Sequence, residues 1–538
     1  MSETCRYKKF VLDNVPRLIS QLDRDPTSPT YGCFDRNHWQ YKIRDFSSIV
    51  LQQGTLSLAL LYSYSFHGNV YYQNQKIRNW AISSLRYWAS QQLRDGSYNE
   101  YWPNEHGYPP TVFSLFSSAE AFTILRHAMD EQTVSELQLA FDRASRFLSK
   151  KQENGAQNQE IASLAALQST FIATGDDRLP DIIRTKRCQI LEQQSPDGWF
   201  AEYGGADIGY LSVSLNYLAE YYRLSNDPVV LNPIEKMIEF LQYFIHPDGT
   251  VGGEYGSRNT EYFLPGGLEI VSPEYPLAGS IADELLKNID NPLFLPRSID
   301  DRYLCHYILH SYIRALLQYQ PRVVKMPLPL EKDPFIKNFN DSKIVIVKED
   351  CYYAICNPLK NVLTIYSNFK EICNDCGYIA EIGQDVAVTN WLNPEIEVTQ
   401  TEKSITTQGS FFLAPRQIVP TLFSHIPLRI SSMIIGPKII SFLKKQMILT
   451  NTKMPVSFSR KITFLPASVR VEDNIISKKE IQRLFPSDSY SKRYVPSSKY
   501  FQGKELNREP FDKSFKNIKG LSIVKCIDCE NGSVTLYY

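Results

Sequence analysis

The sequence has no excess of charge of either sign, because 58 Lys and Arg residues balance 58 Asp and Glu residues. A chain without net charge has no general attraction to a polyanion, so neither nucleic acid nor an anionic membrane is indicated as its main partner. No stretch reaches the roughly 20 apolar residues that cross a bilayer as a helix. At 538 residues the chain is long enough for two or more globular domains.

The N-terminal stretch MSETCRYKKFVLDNV also lacks an apolar core of signal-peptide length. Together with ten Cys residues scattered along the chain, this predicts reduced thiols and a cytoplasmic location, with export by another route as the alternative. The sequence has no Gly-rich phosphate loop, no Ser-centred nucleophile elbow and no His-rich metal helix. We therefore predict no cofactor.

The one metal-like pattern is a pair of CxxC motifs, CNDC and CIDC. Paired CxxC motifs are a zinc pattern when roughly 15–20 residues separate them, and the separation here is far longer. Both motifs lie in strand-like or turn-like sequence. A structural zinc ion is thus the less favoured alternative to reduced thiols. Its ligands would be Cys373, Cys376, Cys526 and Cys529.

Helical patterning is strong in the first part of the chain, and clearest in Ser195–Leu224. An Asp-Gly turn and an aromatic, acidic loop lead there into a helix with two apolar or aromatic stripes. A helix that is apolar on two sides is buried on two sides. After Asn226 a single apolar stripe faces a polar one, which predicts an outer, half-solvated helix.

This unit of inner helix, outer helix and Gly turn repeats at a period near fifty residues. The turn glycines are Gly96, Gly155, Gly198 and Gly249. Doubly buried inner helices favour a closed ring, an (α/α) toroid, over an open solenoid. The predicted hairpins span 40–94, 111–151, 158–194, 207–245 and 272–319, with a lead helix near 7–22.

The pattern changes after Tyr319, where a Pro-rich stretch precedes short β-branched runs. Short runs separated by turn residues predict an antiparallel β-sandwich. We predict a toroid domain over 1–320, a linker over 321–340 and a sandwich domain over 341–538. The stretch 425–449 breaks the strand pattern and is predicted to be an apolar helix covering the sandwich, with weak membrane-surface contact as the less favoured alternative.

Four loops at one phase of the repeat are rich in polar and aromatic residues, and in a toroid they converge on one rim. Rings that stack on sugar C–H groups and hydroxyls that bind polar edges are typical of carbohydrate clefts. The candidate residues of the four loops are Asp35, His38 and Trp39; Tyr101, Trp102 and His106; Trp199, Glu202, Tyr203 and Tyr210; and Glu254, Tyr255, Arg258 and Asn259. Asn158 and Gln159 open the third inner helix nearby.

A toroid followed by a sandwich, with DGWFAEY opening an inner helix, resembles the heparinase II/III-like polysaccharide lyases and their alginate-lyase relatives. The layout resemblance covers nearly the whole chain, and the motif-level match covers residues 150–225. The resemblance implies β-elimination on a uronic-acid-containing polysaccharide, within a surface-glycan or exopolysaccharide pathway. It also implies a polysaccharide or oligosaccharide as the partner, while the oligomeric state is left open.

The resemblance also implies roles for individual residues. Asn158 and Gln159 stand where the family carries an Asn-His pair, and Tyr210 stands near its catalytic Tyr. Gln159 thus replaces a His, and Gly209 precedes Tyr210 where the family usually follows its Tyr with His. The implied catalytic set is Tyr210 as acid or base, His106 assisting proton transfer, and Asn158, Gln159 and Arg258 holding the carboxylate. The remaining rim residues would bind substrate, with Trp39, Trp102 and Tyr255 as stacking subsites.

Two alternatives stay open on the sequence. A glycoside hydrolase on the same toroid needs two carboxylates across the cleft. The candidates are Asp35, Glu105, Glu202, Asp207 and Glu254. A non-catalytic glycan-binding or polysaccharide-assembly protein would need the aromatic residues alone.

Overall fold

The computed structural model describes residues 3–291, 294–414, 421–436, 451–487, 500–501, 505–506 and 514–538. Its first part is helical and its second part is built from strands. The α-helices of the first part are α1 (Glu3–Gln21), α2 (Arg36–Trp39), α3 (Gly54–Ser63), α4 (Gln75–Ser90), α5 (Tyr108–Leu125), α6 (Glu131–Lys150), α7 (Gln157–Thr174), α8 (Leu179–Leu191), α9 (Ile208–Ser225), α10 (Leu231–Leu241), α11 (Gly266–Val271), α12 (Pro276–Leu286), α13 (Leu295–Ser298), α14 (Asp301–Tyr303) and α15 (Leu309–Gln318).

The inner helices follow one another around a closed ring. Helix α5 contacts α3 on one side and α7 on the other, α7 contacts α9, α9 contacts α11, and α11 contacts α15. Helix α15 then contacts α3, which closes the ring, and it pairs with the N-terminal helix α1. Helices α3, α5, α7 and α9 are buried on almost every side. The predicted toroid of doubly buried inner helices is therefore confirmed.

The repeated glycines have a physical cause in the contact between one turn and the next outer helix. Gly96 and Gly198 have φ of +92° and +102°, a backbone conformation that favours Gly. A Cβ at Gly96 would overlap the backbone carbonyl of Arg143 in α6, and a Cβ at Gly198 would overlap that of Lys236 in α10. Each of these two turns thus contacts the backbone of the next outer helix directly.

The glutamines before these turns repeat for the same reason. Gln92 donates from Nε2 to the carbonyl of Gly96 at 3.2 Å and to Ala140 at 2.8 Å. Gln194 makes the equivalent bonds one repeat later, to Gly198 at 3.0 Å and to Pro233 at 2.9 Å. Both side chains tie a turn to the next outer helix.

The second part of the chain forms antiparallel strands. They are β1 (Phe335–Asn338), β2 (Val345–Lys348), β3 (Tyr353–Asn357), β4 (Val362–Ser367), β5 (Lys370–Asp375), β6 (Tyr378–Ile382), β7 (Asp385–Val388), β8 (Glu397–Gln400), β9 (Ser404–Leu413), β10 (Lys453–Leu465), β11 (Ser468–Pro486), β12 (Phe515–Asp528) and β13 (Ser533–Tyr537). Strands β1 to β5 form one sheet in chain order. The second sheet has the order β10-β9-β7-β6-β11-β12-β13, with β8 paired to β9.

The middle strands of the five-stranded sheet, β2 to β4, are buried on both faces, which explains why β3 and β4 are apolar without alternation. One face, including Val347, Ala354 and Leu363, packs against the second sheet. The other face, including Ile346 and Ile355, joins the core of the toroid. The predicted sandwich is confirmed, and it is docked on the helices through this sheet.

The segment predicted as a linker, 321–340, holds a short 3-10 helix at Pro329–Glu331 and the first strand, β1. The sandwich also reaches back to the toroid through buried hydrogen bonds. The Lys360 ammonium donates to the carbonyls of Glu254 at 2.6 Å and Gly256 at 2.8 Å. Asn357 donates to the carbonyl of Tyr255 at 2.7 Å. The fourth rim loop is therefore held from behind by the sandwich.

Helix α16 (Leu422–Ile435) falls in the stretch predicted to be an apolar helix, of which 437–449 lies outside the described residues. Most of its apolar side chains are exposed, including Phe423, Met433 and Ile434. Arg429 forms an ion pair with Asp45 of the first rim loop. Across the described ranges, no helix combines the length and apolar character needed to span a membrane.

Candidate functional site

Three segments meet at the start of helix α9, and backbone hydrogen bonds join them. The amide of Tyr203 donates to the carbonyl of Gly155 at 2.7 Å, which ties the third rim loop to the turn before α7. The amide of Ser257 donates to the carbonyl of Ala206 at 2.8 Å, which ties the same loop to the fourth rim loop. Residues far apart in sequence therefore lie side by side.

Asp207 fixes this junction. One carboxylate oxygen caps α9 by accepting the amide of Tyr210 at 3.2 Å, and the other accepts the amide of Arg258 at 2.8 Å. Thr260 donates its hydroxyl to the same carboxylate. With its oxygens occupied by these donors, Asp207 acts as a scaffold, and it sets the position of the Tyr210 and Arg258 backbones.

Beside it, Glu202 is 1% exposed and holds Asn158. Its Oε1 accepts the backbone amide of Asn158 at 2.8 Å and the side-chain Nδ2 of Asn158 at 2.6 Å. Its Oε2 has no hydrogen-bond partner among the described residues. Burial raises the pKa of Glu202 to about 8, outweighing the two bonds from Asn158. Glu202 is therefore protonated at neutral pH and carries an O–H donor.

This protonation makes the stability of the toroid depend on pH. Between the ordinary value of 4.5 and about 8, folded Glu202 keeps a proton that the unfolded chain releases. The free energy of unfolding therefore falls as pH rises through that window, by at most about 1.4 kcal/mol per pH unit from this one group. In Glu202→Gln the contribution is absent. The free energy of unfolding of Glu202→Gln, relative to that of the wild type, is expected to increase from pH 5 to pH 8.

The measurement is urea unfolding followed by far-ultraviolet circular dichroism, at pH 5, 6, 7 and 8. Groups such as Glu105, whose pKa burial raises to about 7, titrate in both proteins and cancel in the difference. Glu192→Gln, at an exposed position of the same repeat, is the matched control and should show no pH-dependent difference. A constant offset between Glu202→Gln and wild type at all four pH values would contradict the prediction.

Arg258 is buried with its guanidinium only partly satisfied. It is 2% exposed, and its Nε and Nη1 have no hydrogen-bond partner in the part of the chain that the structure describes. The guanidinium lies 4.4 Å from the centre of the Tyr203 ring, a cation–π contact. Tyr203 itself has a positive φ of 51°, which is costly for an aromatic residue. Backbone strain of this kind is concentrated at functional sites.

The Tyr210 ring lies in a group of tyrosines that we call the tyrosine cluster. Its members are Tyr101, Tyr210, Tyr262, Tyr303, Tyr307 and Tyr500. The rings of Tyr210 and Tyr262 are 6.4 Å apart, edge to face. The hydroxyls of Tyr262 and Tyr307 are 2.7 Å apart and hydrogen-bonded. Burial raises the pKa of Tyr262, Tyr303 and Tyr307 well above the usual value, so these hydroxyls stay protonated.

Arg302 of α14 joins the tyrosine cluster to the first two rim loops. Its guanidinium lies 5.0 Å from the centre of the Tyr101 ring, pairs with the Glu100 carboxylate, and donates to Ser48 at 3.2 Å. Arg44 donates to the carbonyl of Glu100 at 2.7 Å and to Asp35 at 3.4 Å. Asp35 and Tyr101 are thus linked to the neighbourhood of Tyr210.

The other predicted residues of the first two loops make contacts within their own surroundings. His106 Nδ1 is 2.7 Å from Asp95 Oδ2 and 3.1 Å from Ser97 Oγ. His38 Nδ1 is 3.0 Å from the carbonyl of Arg44, and Trp39 donates to the carbonyl of Gln21 at 2.7 Å. The amide of Trp102 points to the Glu105 carboxylate at 3.5 Å. None of these bonds joins them to Tyr210.

In the fourth loop, Tyr255 is buried and its hydroxyl is 2.7 Å from Nε2 of His246. Glu254 and Asn259 contact the Lys360 ammonium, Glu254 through its carbonyl and Asn259 through its side chain. Trp199 is buried in the toroid core. Gln159 is half-buried, and its Oε1 has no partner within the described ranges. Of the predicted residues, Tyr101 therefore lies in the tyrosine cluster with the Tyr210 ring. Asn158, Glu202, Tyr203 and Arg258 lie beside the start of α9, where Asp207 holds the Tyr210 backbone.

Sequence reasoning placed Tyr262 in the fourth rim loop but missed Tyr303, Tyr307 and Tyr500. A signal was present in DRYLCHYILH, where aromatic and His residues recur at helical spacing on the last inner helix. Within the described residues, no group of three or more His, Cys, Asp or Glu side chains has the arrangement of a metal site. The zinc alternative stays a prediction.

Comparison with known proteins is informative at the level of structure. No protein-family model and no curated protein sequence matches the chain. The chondroitin AC lyase of Streptomyces coelicolor A3 in complex with chondroitin sulphate matches at 10% identity with a TM-score of 0.53, over 91% of this chain and 69% of the lyase. A point mutant of that lyase matches at 10% identity and a TM-score of 0.49, over 90% and 67%. Heparinase III matches at 11% identity and a TM-score of 0.49, over 83% and 66%.

The chain thus has the fold of a polysaccharide lyase, an (α/α) toroid joined to antiparallel β-sheets. At 10% identity the likeness shows the fold alone. The resemblance seen in the sequence is confirmed to this extent. The chain spans about two thirds of the length of these lyases.

Proposed function

We propose that the protein is a carbohydrate-active enzyme that cleaves a uronic-acid-containing polysaccharide by β-elimination. The observation that carries the proposal is the convergence of Tyr210, Asn158, Glu202 and Arg258 around the first turn of α9. Elimination needs a group that moves protons and groups that stabilise a carboxylate as it becomes an enolate. Tyr210 is of the type that moves protons, and Asn158, Glu202 and Arg258 are of the types that stabilise a carboxylate.

In the proposed reaction, the phenolate of Tyr210 takes the C5 proton of the uronate, and the phenol so formed delivers that proton to the departing O4. The C5–H and C4–O4 bonds break and a C4=C5 double bond forms. Asn158 has a second amide hydrogen, since Glu202 Oε1 accepts only one of the two on Nδ2. Neutral Glu202 adds the O–H of Oε2, and Arg258 adds its unpartnered N–H groups. Three donors of this kind would offset the charge that develops on the substrate carboxylate.

The tyrosine cluster would bind the sugar rings on either side of the cleaved bond. Tyr101, which is 42% exposed, offers a ring face to solvent beside Arg302. Aromatic faces stack on sugar C–H groups while hydroxyls and guanidinium groups bind the ring substituents. A uronate polymer matches both features.

The glycoside hydrolase alternative rests on an acid pair. Glu202 and Asp207 form such a pair beside the start of α9, and Asp207 contributes to the raised pKa of Glu202. A hydrolase needs one of the two carboxylates free to act as nucleophile or base. Asp207 instead accepts bonds from Tyr210, Arg258 and Thr260. This arrangement disfavours hydrolysis relative to elimination.

The test is incubation of the full chain with chondroitin, hyaluronan, heparosan, alginate and polygalacturonate. Ultraviolet absorbance of the unsaturated product and new reducing ends are recorded together. Both signals in equal amounts are expected for one of these polymers. Reducing ends without the absorbance would replace the lyase with the hydrolase. Binding of one polymer with neither signal would leave a glycan-binding or assembly protein.

A further inference from the structure

The last inner helix is widened by a π-turn at the level of the site. Helices α14 and α15 are joined without a break by the π-helical turn Leu304–Ile308, so that 301–318 forms one helical stretch. A π-turn inserts one extra residue into the helical repeat, and such turns are frequent at functional sites. Here it brings the rings of His306 and Tyr307 to a centroid distance of 4.0 Å. Two consecutive side chains therefore share one face of the helix.

Packing alone does not explain why a histidine occupies position 306. It is 8% exposed and packs against the rings of Phe113 at 5.2 Å and Tyr303 at 5.8 Å. Neither Nδ1 nor Nε2 has a hydrogen-bond partner among the described residues. A buried polar group without a partner is costly, and an apolar side chain would fill the same space without that cost. The imidazole is therefore better explained by a ligand than by packing.

The charge of His306 indicates what kind of ligand. Burial lowers its pKa well below the ordinary value, and the nearby Arg302 and His310 lower it further. Neutral imidazole has one donor nitrogen and one acceptor nitrogen. A hydroxyl also donates one hydrogen and accepts another, whereas a carboxylate only accepts. Either nitrogen of His306 can therefore bond a sugar hydroxyl, whereas only the protonated nitrogen can bond a uronate carboxylate.

We propose that His306 is a substrate-contacting residue that hydrogen-bonds a hydroxyl group of the sugar bound beside the tyrosine cluster. Tyr307 connects it to the site, because Tyr307 bonds Tyr262 and Tyr262 packs on Tyr210. The inference rests on the proposed carbohydrate function. The inference is that the π-turn binds a hydroxyl group of the sugar, while residues at the start of α9 bind its carboxylate.

The test compares His306→Phe, His306→Gln and wild type in binding to the five polysaccharides of the panel, measured by calorimetry. Each polymer is used with its carboxyl-reduced form, which keeps the hydroxyls and lacks the carboxylates. His306→Phe is expected to weaken the binding of both forms by about tenfold, the loss of one hydrogen bond in a buried site. Gln retains a donor and an acceptor, so His306→Gln should bind within about threefold of wild type.

A second readout separates this role from a structural one. Since Phe removes unsatisfied polar atoms, the thermal midpoint of His306→Phe should equal or exceed that of wild type while its affinity falls. His306→Leu gives a second apolar variant. His127→Gln, at an exposed position in the 3-10 turn that follows α5, is the matched control and should change neither quantity.

Three results would overturn the inference. They are wild-type affinity in His306→Phe, equal losses of midpoint and affinity in the Phe, Leu and Gln variants, and no binding of any panel polymer by wild type. Failure of the proposed elimination looks different. Binding that depends on His306 without any unsaturated product would reject the lyase and retain the contact.

Discussion

Replacement of Tyr210 by Phe is expected to lower kcat for the unsaturated product by about a hundredfold to ten-thousandfold, the usual contribution of a positioned acid or base. The phenol oxygen is the one atom that the change removes. The backbone of Tyr210 keeps its cap from Asp207, and the ring keeps its edge-to-face contact with Tyr262. KM should therefore change by no more than about threefold, since binding of the ground state is not affected.

The assay is initial rate by ultraviolet absorbance, on the polymer of the panel that wild type cleaves. Tyr222→Phe is the matched control, because Tyr222 lies on the same helix α9 and uses its hydroxyl only to bond Glu274 at the surface, at 3.1 Å. It should retain wild-type kcat. A Tyr210→Phe enzyme with more than about a third of wild-type kcat would remove Tyr210 from proton transfer and with it the proposed mechanism.

The fold could be predicted from the sequence because its determinants are local and periodic. The two apolar stripes of α9 predict a helix buried on two sides, and the single stripe of α10 predicts a helix buried on one side. The structure confirms both predictions. Gly96 and Gly198 mark turns that press on the next outer helix. The doubly buried inner helices predicted that the ring closes. They did not predict that α15 closes it on α1 and α3, because these contacts join the two ends of the helical region.

Less of the candidate site than of the fold could be predicted from the sequence, because part of it depends on a π-turn and on burial in the assembled ring. Tyr210, Asn158 and Arg258 could be named because they open a helix or lie in a polar loop. Tyr307 lies on a helix whose face is set by a π-turn, and no periodicity of 3.6 residues predicts that turn. The pKa of Glu202 depends on burial by three separate segments, and burial is a property of the assembled ring. The roles proposed for His106 and Gln159 stay predictions.

Replacement of Arg460 by Met is expected to lower the free energy of unfolding of the sandwich by about 3–5 kcal/mol at pH 7. Arg460 on β10 lies directly opposite Asp473 on β11, with Nε 2.6 Å from Oδ1. Asp375 lies 3.2 Å from the same guanidinium, and Lys525 lies 2.5 Å from Asp375. All four side chains are at most 2% exposed. Two cations balance two anions, so the loss of Arg460 leaves one buried negative charge without compensation.

The loss should be smaller at pH 5 than at pH 7. Burial acts to raise the pKa of Asp375, but the charges of Arg460 and Lys525 outweigh it and lower that pKa. Without Arg460 the pKa of Asp375 rises, so the folded variant takes up a proton there as pH falls and relieves its buried charge. The proton is bound by the folded state in preference to the unfolded one, which stabilises the variant on acidification relative to wild type.

Urea unfolding with fluorine NMR of fluorotryptophan-labelled protein measures this effect in the sandwich alone, since Trp391 is the one Trp beyond residue 199. Arg470→Met is the matched control on the neighbouring strand. Arg470 pairs with Glu472 at 3.1 Å in an exposed position, where an ion pair contributes about 0–1 kcal/mol. Equal losses of unfolding free energy in the two variants would show that burial of Arg460 does not increase its contribution to stability. A loss for Arg460→Met that is the same at pH 5 and pH 7 would show that Asp375 does not take up the proton.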